Sequence, residues 1–314
     1  MNLHEHKNEF DELIAIVSNY IGIPPNAVRR DYYIVQLLQN LQNSNYADSC
    51  VFKGGTSLSK CYPGSINRFS EDIDLTFIPS ENMTGKKYSK ELKQVESAIA
   101  DGFIIEKIES ERNDRNKSSY VWFADESKAD CKVKLEIGSA IRPDPYSKKA
   151  LKTYIQEYLE ERGMSAVADE FELQAVFINT LDITRTFLDK IMSVKRHAIC
   201  GTLHRKVRHI YDVSALLSRQ DIQEFLSDNE RLKKLVVLTK ETDSFYLQKR
   251  NIPEAYDPTG PYAFGCWKQY FNEEIRSRYE KLHEDLLYTS ERQNFDDAIL
   301  AFETINDILS AIGE

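Results

Sequence analysis

Residues 51–77 read VFKGGTSLSKCYPGSINRFSEDIDLTF, and the fold expected for the chain follows from this stretch. Its last six residues alternate polar and apolar side chains, which predicts a β-strand. Side chains two apart share one face of a strand, so Asp72 and Asp74 are expected to point together while Ile73 and Leu75 enter the core. Two neighbouring carboxylates repel each other unless a proton or a cation intervenes. Their hard oxygens suit Mg²⁺, with Mn²⁺ as a second possibility.

Two glycines precede this strand, at the expected start of a short helix. Glycine lets the backbone approach a phosphate closely, and the free N–H groups of a first helical turn favour an anion. A glycine pair taken alone is more often an ordinary turn, and Arg68 and Ser70 either bind phosphate or shape the turn before the strand. The residues of this stretch that we expect to contact a nucleotide are Gly54, Gly55, Thr56, Ser57, Lys60, Arg68 and Ser70.

A third acid lies in a second alternating segment, residues 131–137. The apolar residues of this segment are expected on its buried face, which leaves Glu136 on the other face. If this strand pairs beside the strand of Asp72 and Asp74, the three carboxylates form a metal clamp for attack on a phosphorus atom. Glu136 would then be a third metal ligand or the base that deprotonates the attacking group. The alternative is that these acids face solvent on amphipathic or edge strands.

The rest of the chain indicates an α+β protein in which a small mixed sheet is followed by a mainly helical region. We expect two domains, residues 1–165 with helices at the N-terminus and residues 166–314. Strands are expected at residues 72–77, 103–108, 120–123, 131–137 and 173–178. Helices are expected in the first fifty residues and at residues 88–100, 148–162, 184–199, 205–217 and 295–312.

Composition excludes several classes of protein. The 314 residues include 41% hydrophobic and 29% charged residues, a mixture typical of globular domains and not of disordered chains. Five scattered cysteines include no Cys-x-x-Cys pair, which argues against a zinc ribbon and a disulfide framework. No apolar run approaches the roughly 20 residues that cross a bilayer, so we expect a cytoplasmic protein without membrane contact. A formal charge of -9 argues against a surface that attracts nucleic acid as a whole. Only the stretch around residues 185–209 has an excess of basic residues and is expected to form a local basic face.

Several motifs in order resemble one protein family. The glycine turn at residues 52–60 and the acid strand at residues 68–75 resemble the AbiEii/AbiGii toxin family, within the polymerase-beta type nucleotidyltransferase superfamily. The stretches Arg-Thr-Phe-Leu-Asp-Lys at residues 185–190 and Arg-His-Ile-Tyr-Asp-Val at residues 208–213 match two later motifs of that family. The resemblance implies that Lys190 contacts nucleotide phosphates and that Asp212 is an active-site acid. Arg208 would act with Lys190 to neutralise the charge of the leaving group.

The resemblance also implies an activity. The family consists of the toxin components of type IV toxin–antitoxin and abortive-infection systems, so we expect an enzyme that transfers a nucleoside monophosphate from an NTP and releases pyrophosphate. The 3′ end of tRNA is the implied acceptor, and a cognate antitoxin is the implied partner. Two alternatives stay open: the acceptor is a protein side chain, or the chain is a silent module that binds a nucleotide without turnover.

Overall fold

The computed structural model describes residues 1–80, 83, 85–123, 131–139, 142–247, 253, 255–285, 287 and 292–314. The chain divides into two compact units. The first unit comprises Met1–Cys61 and Phe69–Leu181, and the second comprises Tyr62–Arg68 and Asp182–Glu314.

The described residues of the first unit form one mixed sheet of seven strands. The strands are β1 (Cys50–Lys53), β2 (Asp72–Phe77), β3 (Ile104–Lys107), β4 (Asn116–Trp122), β5 (Lys132–Gly138), β6 (Tyr146–Leu151) and β7 (Val176–Leu181). Their order across the sheet is β3-β4-β5-β2-β1-β7-β6. β2 pairs parallel with β5 and β1 pairs parallel with β7, while the other neighbours are antiparallel. The predicted α+β class is confirmed.

Within the described residues of this unit, six α-helices accompany the sheet. They are α1 (Lys7–Ile21), α2 (Pro25–Gln42), α3 (Gly54–Cys61), α4 (Gly85–Ile99), α5 (Tyr154–Glu161) and α6 (Ser165–Glu170). α2 begins with a proline, whose missing N–H is not needed in the first turn. α5 begins after Thr153, whose hydroxyl accepts a hydrogen bond from the backbone N–H of Gln156.

The two alternating strands bury the faces that the sequence predicts. Ile73 and Leu75 of β2 are almost completely buried, as are the three apolar residues of β5. α4 contacts β4 and β5, and α2 also contacts β5. These apolar side chains therefore form the core of the first unit. The polar residues of β2 and β5 lie on the other face of the sheet, because successive side chains alternate.

The second unit is helical. Its helices are α7 (Ile183–Ile199), α8 (Val207–Leu217), α9 (Gln220–Ser227), α10 (Asn229–Leu247), α11 (Glu273–Asp285) and α12 (Phe295–Ala311). Trp267 and Phe271 pack with Phe264 and Phe302 in an aromatic core. No helix in the described part of the chain has the length and apolar character needed to cross a membrane.

The predicted helix over residues 148–162 is wrong at its start. Tyr146–Leu151 forms β6, which pairs antiparallel with β7, and the helix begins only at Tyr154. The lysines and alanine of this segment are compatible with a helix, but the backbone hydrogen bonds to β7 favour a strand.

The division into units also differs from the predicted boundary at residues 165 and 166. β7 belongs to the first unit because it pairs with β1 and β6. The segment Tyr62–Arg68 groups with the second unit although it lies between α3 and β2 in sequence.

Candidate active site

Asp72 and Asp74 lie on one face of β2, where both side chains are half-buried. The registers of the sheet show which residues stand beside them. Asp74 is opposite Lys53 of β1 and Glu136 of β5, and Asp72 is opposite Lys134 of β5. Neighbouring residues in register present their side chains on the same face. The predicted pairing of the two acid-bearing strands is therefore present.

The glycine turn touches this acid pair directly. Gly54 is the first residue of α3 and has a φ of +87°. A Cβ at this position would overlap Oδ2 of Asp74 and would lie 3.2 Å from its Cγ. The N-terminus of α3 carries partial positive charge, which stabilises a carboxylate beside it. Gly54 is thus required both for its left-handed backbone and for the close approach of Asp74.

We expect Gly54→Ala to lower stability more than Gly102→Ala does. Both positions have a positive φ, +87° and +83°, so both substitutions strain the backbone by about 1–2 kcal/mol. A Cβ at Gly102 meets nothing within 4 Å, whereas a Cβ at Gly54 overlaps Asp74. The overlap should cost a further ~1–3 kcal/mol. Thermal unfolding of both variants measures the difference, and equal losses would contradict the contact with Asp74.

The hydroxyl groups of the predicted phosphate cradle are bonded within the unit. Thr56 donates a hydrogen bond to the hydroxyl of Ser70 at 3.0 Å, which holds the residues before β2 against the first turn of α3. Ser57 donates to the carbonyl of Gly54 at 3.0 Å. Thr56 and Ser57 are 2% and 0% exposed, so their side chains shape the turn. Gly54 and Gly55 are half-buried and are the more open residues of the cradle.

Glu136 is held by a neighbour on its own strand. Its carboxylate forms an ion pair with Lys134, and Lys134 also binds Glu111 at 2.8 Å. Burial alone would lower the pKa of Lys134, but the hydrogen bonds and negative charges of Glu111 and Glu136 outweigh burial and raise this pKa. Lys134 is therefore a charged residue that is bonded to the carboxylate of Glu136. Among the described residues, no group of three or more His, Cys, Asp or Glu side chains is arranged to hold a metal ion.

A metal site formed by Asp72 and Asp74 alone therefore agrees better with the structure than a site that also includes Glu136. Mg²⁺ is commonly bound by one or two carboxylates together with substrate phosphates, so the acid pair is a sufficient protein donor set. A phosphate at the start of α3 would also need a cation beside these two negative charges.

Three predicted site residues meet in the second unit. Asp212 on α8 is fully buried and receives hydrogen bonds from Nε and Nη2 of Arg68, both at 2.6 Å. Lys190 on α7 binds the same carboxylate at 2.6 Å. Burial would raise the pKa of Asp212, but the charges and hydrogen bonds of Arg68 and Lys190 outweigh burial and lower it. The result is a buried carboxylate paired with two cations, which we call the Asp212 cluster.

His209 lies beside the Asp212 cluster. Its Nδ1 is buried and has no hydrogen-bond partner among the described residues. Burial lowers the pKa of His209 well below 6.5, and the positive charges of Lys190, Lys206 and Arg68 lower it further. The imidazole is therefore neutral near pH 7.

The sequence from residue 36 to residue 301 matches the family described as Nucleotidyl transferase AbiEii toxin, Type IV TA system. The chain belongs to this family. It is a nucleotidyltransferase and the toxin of a type IV toxin–antitoxin system, which implies an NTP substrate and an antitoxin.

Among solved structures, the toxin is similar to MenT4, a nucleotidyltransferase toxin from Mycobacterium tuberculosis H37Rv. The two sequences are 19% identical, the alignment covers 95% of this chain and 98% of that chain, and the TM-score is 0.49. No curated protein matches the toxin.

Lys60 and Arg68, two of the predicted nucleotide contacts of the toxin, each bind a buried carboxylate. Lys60 is buried, binds Asp31 at 2.7 Å and lies 4.0 Å from the ring centre of Tyr154, so it joins α3 to α2. Arg68 belongs to the Asp212 cluster, and Arg208 is exposed on α8. In both residues a long side chain binds a buried carboxylate, so removal of either partner would leave an uncompensated buried charge.

Sequence reasoning overlooked two lysines near the acids of the toxin. Lys134 was visible in the alternation of residues 131–137, which places it on the face of Glu136. Lys53 had no such signal, because its position opposite Asp74 depends on the pairing of β1 with β2. The expected basic face is also smaller than predicted, since Arg185, Lys190 and Lys195 are all buried.

Proposed function

We propose that the toxin transfers a nucleoside monophosphate from an NTP to the 3′-terminal hydroxyl of tRNA and releases pyrophosphate. The contact between Asp74 and the Gly54 backbone carries this proposal. It joins a carboxylate pair, which suits a divalent cation, to a helix N-terminus, which suits a phosphate. A nucleotidyltransferase needs both features at the phosphorus atom that is attacked.

Asp72 and Asp74 would hold Mg²⁺ in this reaction, or Mn²⁺ in its place. When bound, the cation supplies positive charge to the triphosphate and orients it. The backbone of Gly54 and Gly55 binds phosphate oxygens through the N–H groups of α3.

The acceptor oxygen forms a bond to the α-phosphorus, and the bond from that phosphorus to the leaving pyrophosphate breaks. We assign the acceptor proton to Glu136, whose carboxylate is in an ion pair with Lys134. This assignment uses one of the two roles open to Glu136. The other role, a third metal ligand, has less support because the described residues contain no three-carboxylate group.

Lys190 and Arg208 are proposed as contacts for the negative charge of the triphosphate and of the departing pyrophosphate. Asp212 positions Lys190, to which it is directly bonded. The proposed acceptor and NTP place the reaction in the cytoplasm, where the cognate antitoxin restrains the toxin.

The test is transfer of label by the purified full-length protein. Each of the four α-³²P-labelled NTPs is incubated with total tRNA and Mg²⁺, and the products are separated on a denaturing gel. We expect label on tRNA that is removed by nuclease, resists protease and is absent when a chelator removes the cation. Label that is removed only by protease would replace tRNA by a protein acceptor. Nucleotide binding by calorimetry without any labelled product would favour the silent module.

A further inference from the structure

A second cluster of side chains shares the sheet face of the catalytic acids. Lys132 of β5 lies with its ammonium 3.7 Å from the ring centre of Tyr120 and 4.6 Å from that of Trp122, both on β4. Trp122 donates a hydrogen bond from its indole N–H to Glu106 of β3 at 2.9 Å. The two rings therefore fix the position of one cation, and we call these residues the Lys132 cluster.

Among the described residues, no acid neutralises the charge of Lys132. Lys132 makes no ion pair with any residue that the structure describes, whereas the next lysine on the same face, Lys134, binds both Glu111 and Glu136. An ammonium over aromatic rings keeps its full charge and its three N–H donors. Lys132 can therefore bind an external anion without first breaking a salt bridge.

The Lys132 cluster is continuous with the acid pair. Lys132 is in register with Trp122, and Trp122 is in register with Ile104 at the sheet edge. The next row along the strands contains Tyr120, Lys134 and Asp72, and the row after it contains Ser118, Glu136 and Asp74. Successive rows on one face are about 7 Å apart, so Lys132 lies one row from Asp72 and two rows from Asp74.

The face at the cluster is accessible at its outer end. Ile104 is 59% exposed, and Lys132 and Tyr120 are half-buried. Trp122 is only 9% exposed, so its ring contacts Lys132 but is not available for stacking with a base. A ligand that reaches Asp72 and Asp74 along this face would pass an exposed apolar side chain and then a fixed cation.

We propose that the Lys132 cluster binds the single-stranded RNA next to the 3′-terminal nucleotide of the acceptor. This inference rests on the proposed function, because it assigns a surface to the acceptor of that reaction. Lys132 binds a backbone phosphate, and Ile104 together with the exposed part of Tyr120 contacts a base. A polyanion fits this surface better than a protein acceptor does, since the ammonium of Lys132 is in no ion pair with a described residue and the one acid of the cluster, Glu106, is bound by the indole N–H of Trp122. Tyr120 and Trp122 are positioning residues for the ammonium.

The test compares Lys132→Gln with Lys148→Gln in the full-length toxin. Lys148 is an exposed lysine on β6 at the other edge of the sheet, so its replacement changes the net charge equally. For Lys132→Gln we expect the KM for tRNA to rise about tenfold and the salt dependence of RNA binding to lose about one phosphate contact. The KM for NTP, kcat at saturating tRNA and the melting temperature should stay unchanged. Lys148→Gln should match the wild type, and Lys132→Arg should retain most of the affinity because arginine also binds over aromatic rings.

An unchanged KM for tRNA and an unchanged salt slope in Lys132→Gln would overturn the inference. A separate arm measures fluorescence anisotropy of a labelled single-stranded oligoribonucleotide with each protein and does not depend on turnover. If the wild type labels no RNA, the proposed function fails. The anisotropy measurement then still shows whether the Lys132 cluster binds RNA. If Lys132→Gln binds the oligoribonucleotide more weakly and the other variants do not, the anisotropy measurement supports RNA binding by the Lys132 cluster. Equal binding by all variants refutes it. If the label goes to a protein acceptor whose KM rises in Lys132→Gln, the RNA assignment is wrong.

Discussion

Asp74→Asn is expected to reduce nucleotidyl transfer by about 10³-fold in kcat with little loss of stability. The substitution keeps the shape of the side chain beside Gly54 but removes the negative charge that would hold a cation. It also removes the repulsion between Asp74 and Asp72 on one strand face, so the melting temperature should not fall. Initial rates of label transfer to tRNA, together with thermal unfolding, measure both effects.

Asp48→Asn is the matched control for this prediction. Asp48 lies in the same unit, its side chain is 89% exposed, and its partner Lys148 is 3.5 Å away. The variant loses the same charge but should transfer label at the wild-type rate, because an exposed ion pair contributes little. Retention of more than about a tenth of the wild-type kcat by Asp74→Asn would remove Asp74 from the reaction.

Asp212→Asn is expected to destabilise the protein by about 3–5 kcal/mol. The substitution leaves Arg68 and Lys190 buried without the carboxylate that binds both of them at 2.6 Å. Removing one partner of a buried ion pair exposes the protein to the full desolvation cost of the charges that remain. Chemical denaturation at pH 7 measures the loss. The control Asp221→Asn removes an acid whose side chain is 44% exposed beside Arg219, and it should cost less than about 1 kcal/mol.

The effect of Asp212→Asn should depend on pH in a defined direction. The pKa of Asp212 in the folded protein lies below its ordinary value of 3.8, because Arg68 and Lys190 favour the ionised form. The stability contributed by this charge is fully present above pH 3.8 and is lost as the pH falls through the lowered pKa. The difference between wild type and variant should therefore be constant near neutral pH and shrink in acid. A difference that instead grew toward low pH would show that Asp212 is not held ionised.

Local patterns were sufficient to predict much of the first unit. Alternation in β2 and β5 predicted which residues are buried, because the two faces of a strand follow from a period of two. The same reasoning failed for β6, where lysine and alanine are compatible with either structure and the backbone hydrogen bonds to β7 select the strand. The parallel pairing of β2 with β5 was not readable in advance, since it depends on the order of the whole sheet.

The amino-acid sequence was enough to establish the glycine turn, the alternating acid strand and the family motifs, since each is a pattern within a few residues. The tertiary structure, in contrast, determines which carboxylates the long lysine and arginine side chains bind. Arg68 binds Asp212, 144 residues away, while Lys60 binds Asp31 and not a site at the glycine turn. A flexible lysine or arginine can reach in many directions, and burial selects the direction because a charge in the interior is tolerated only beside an opposite charge.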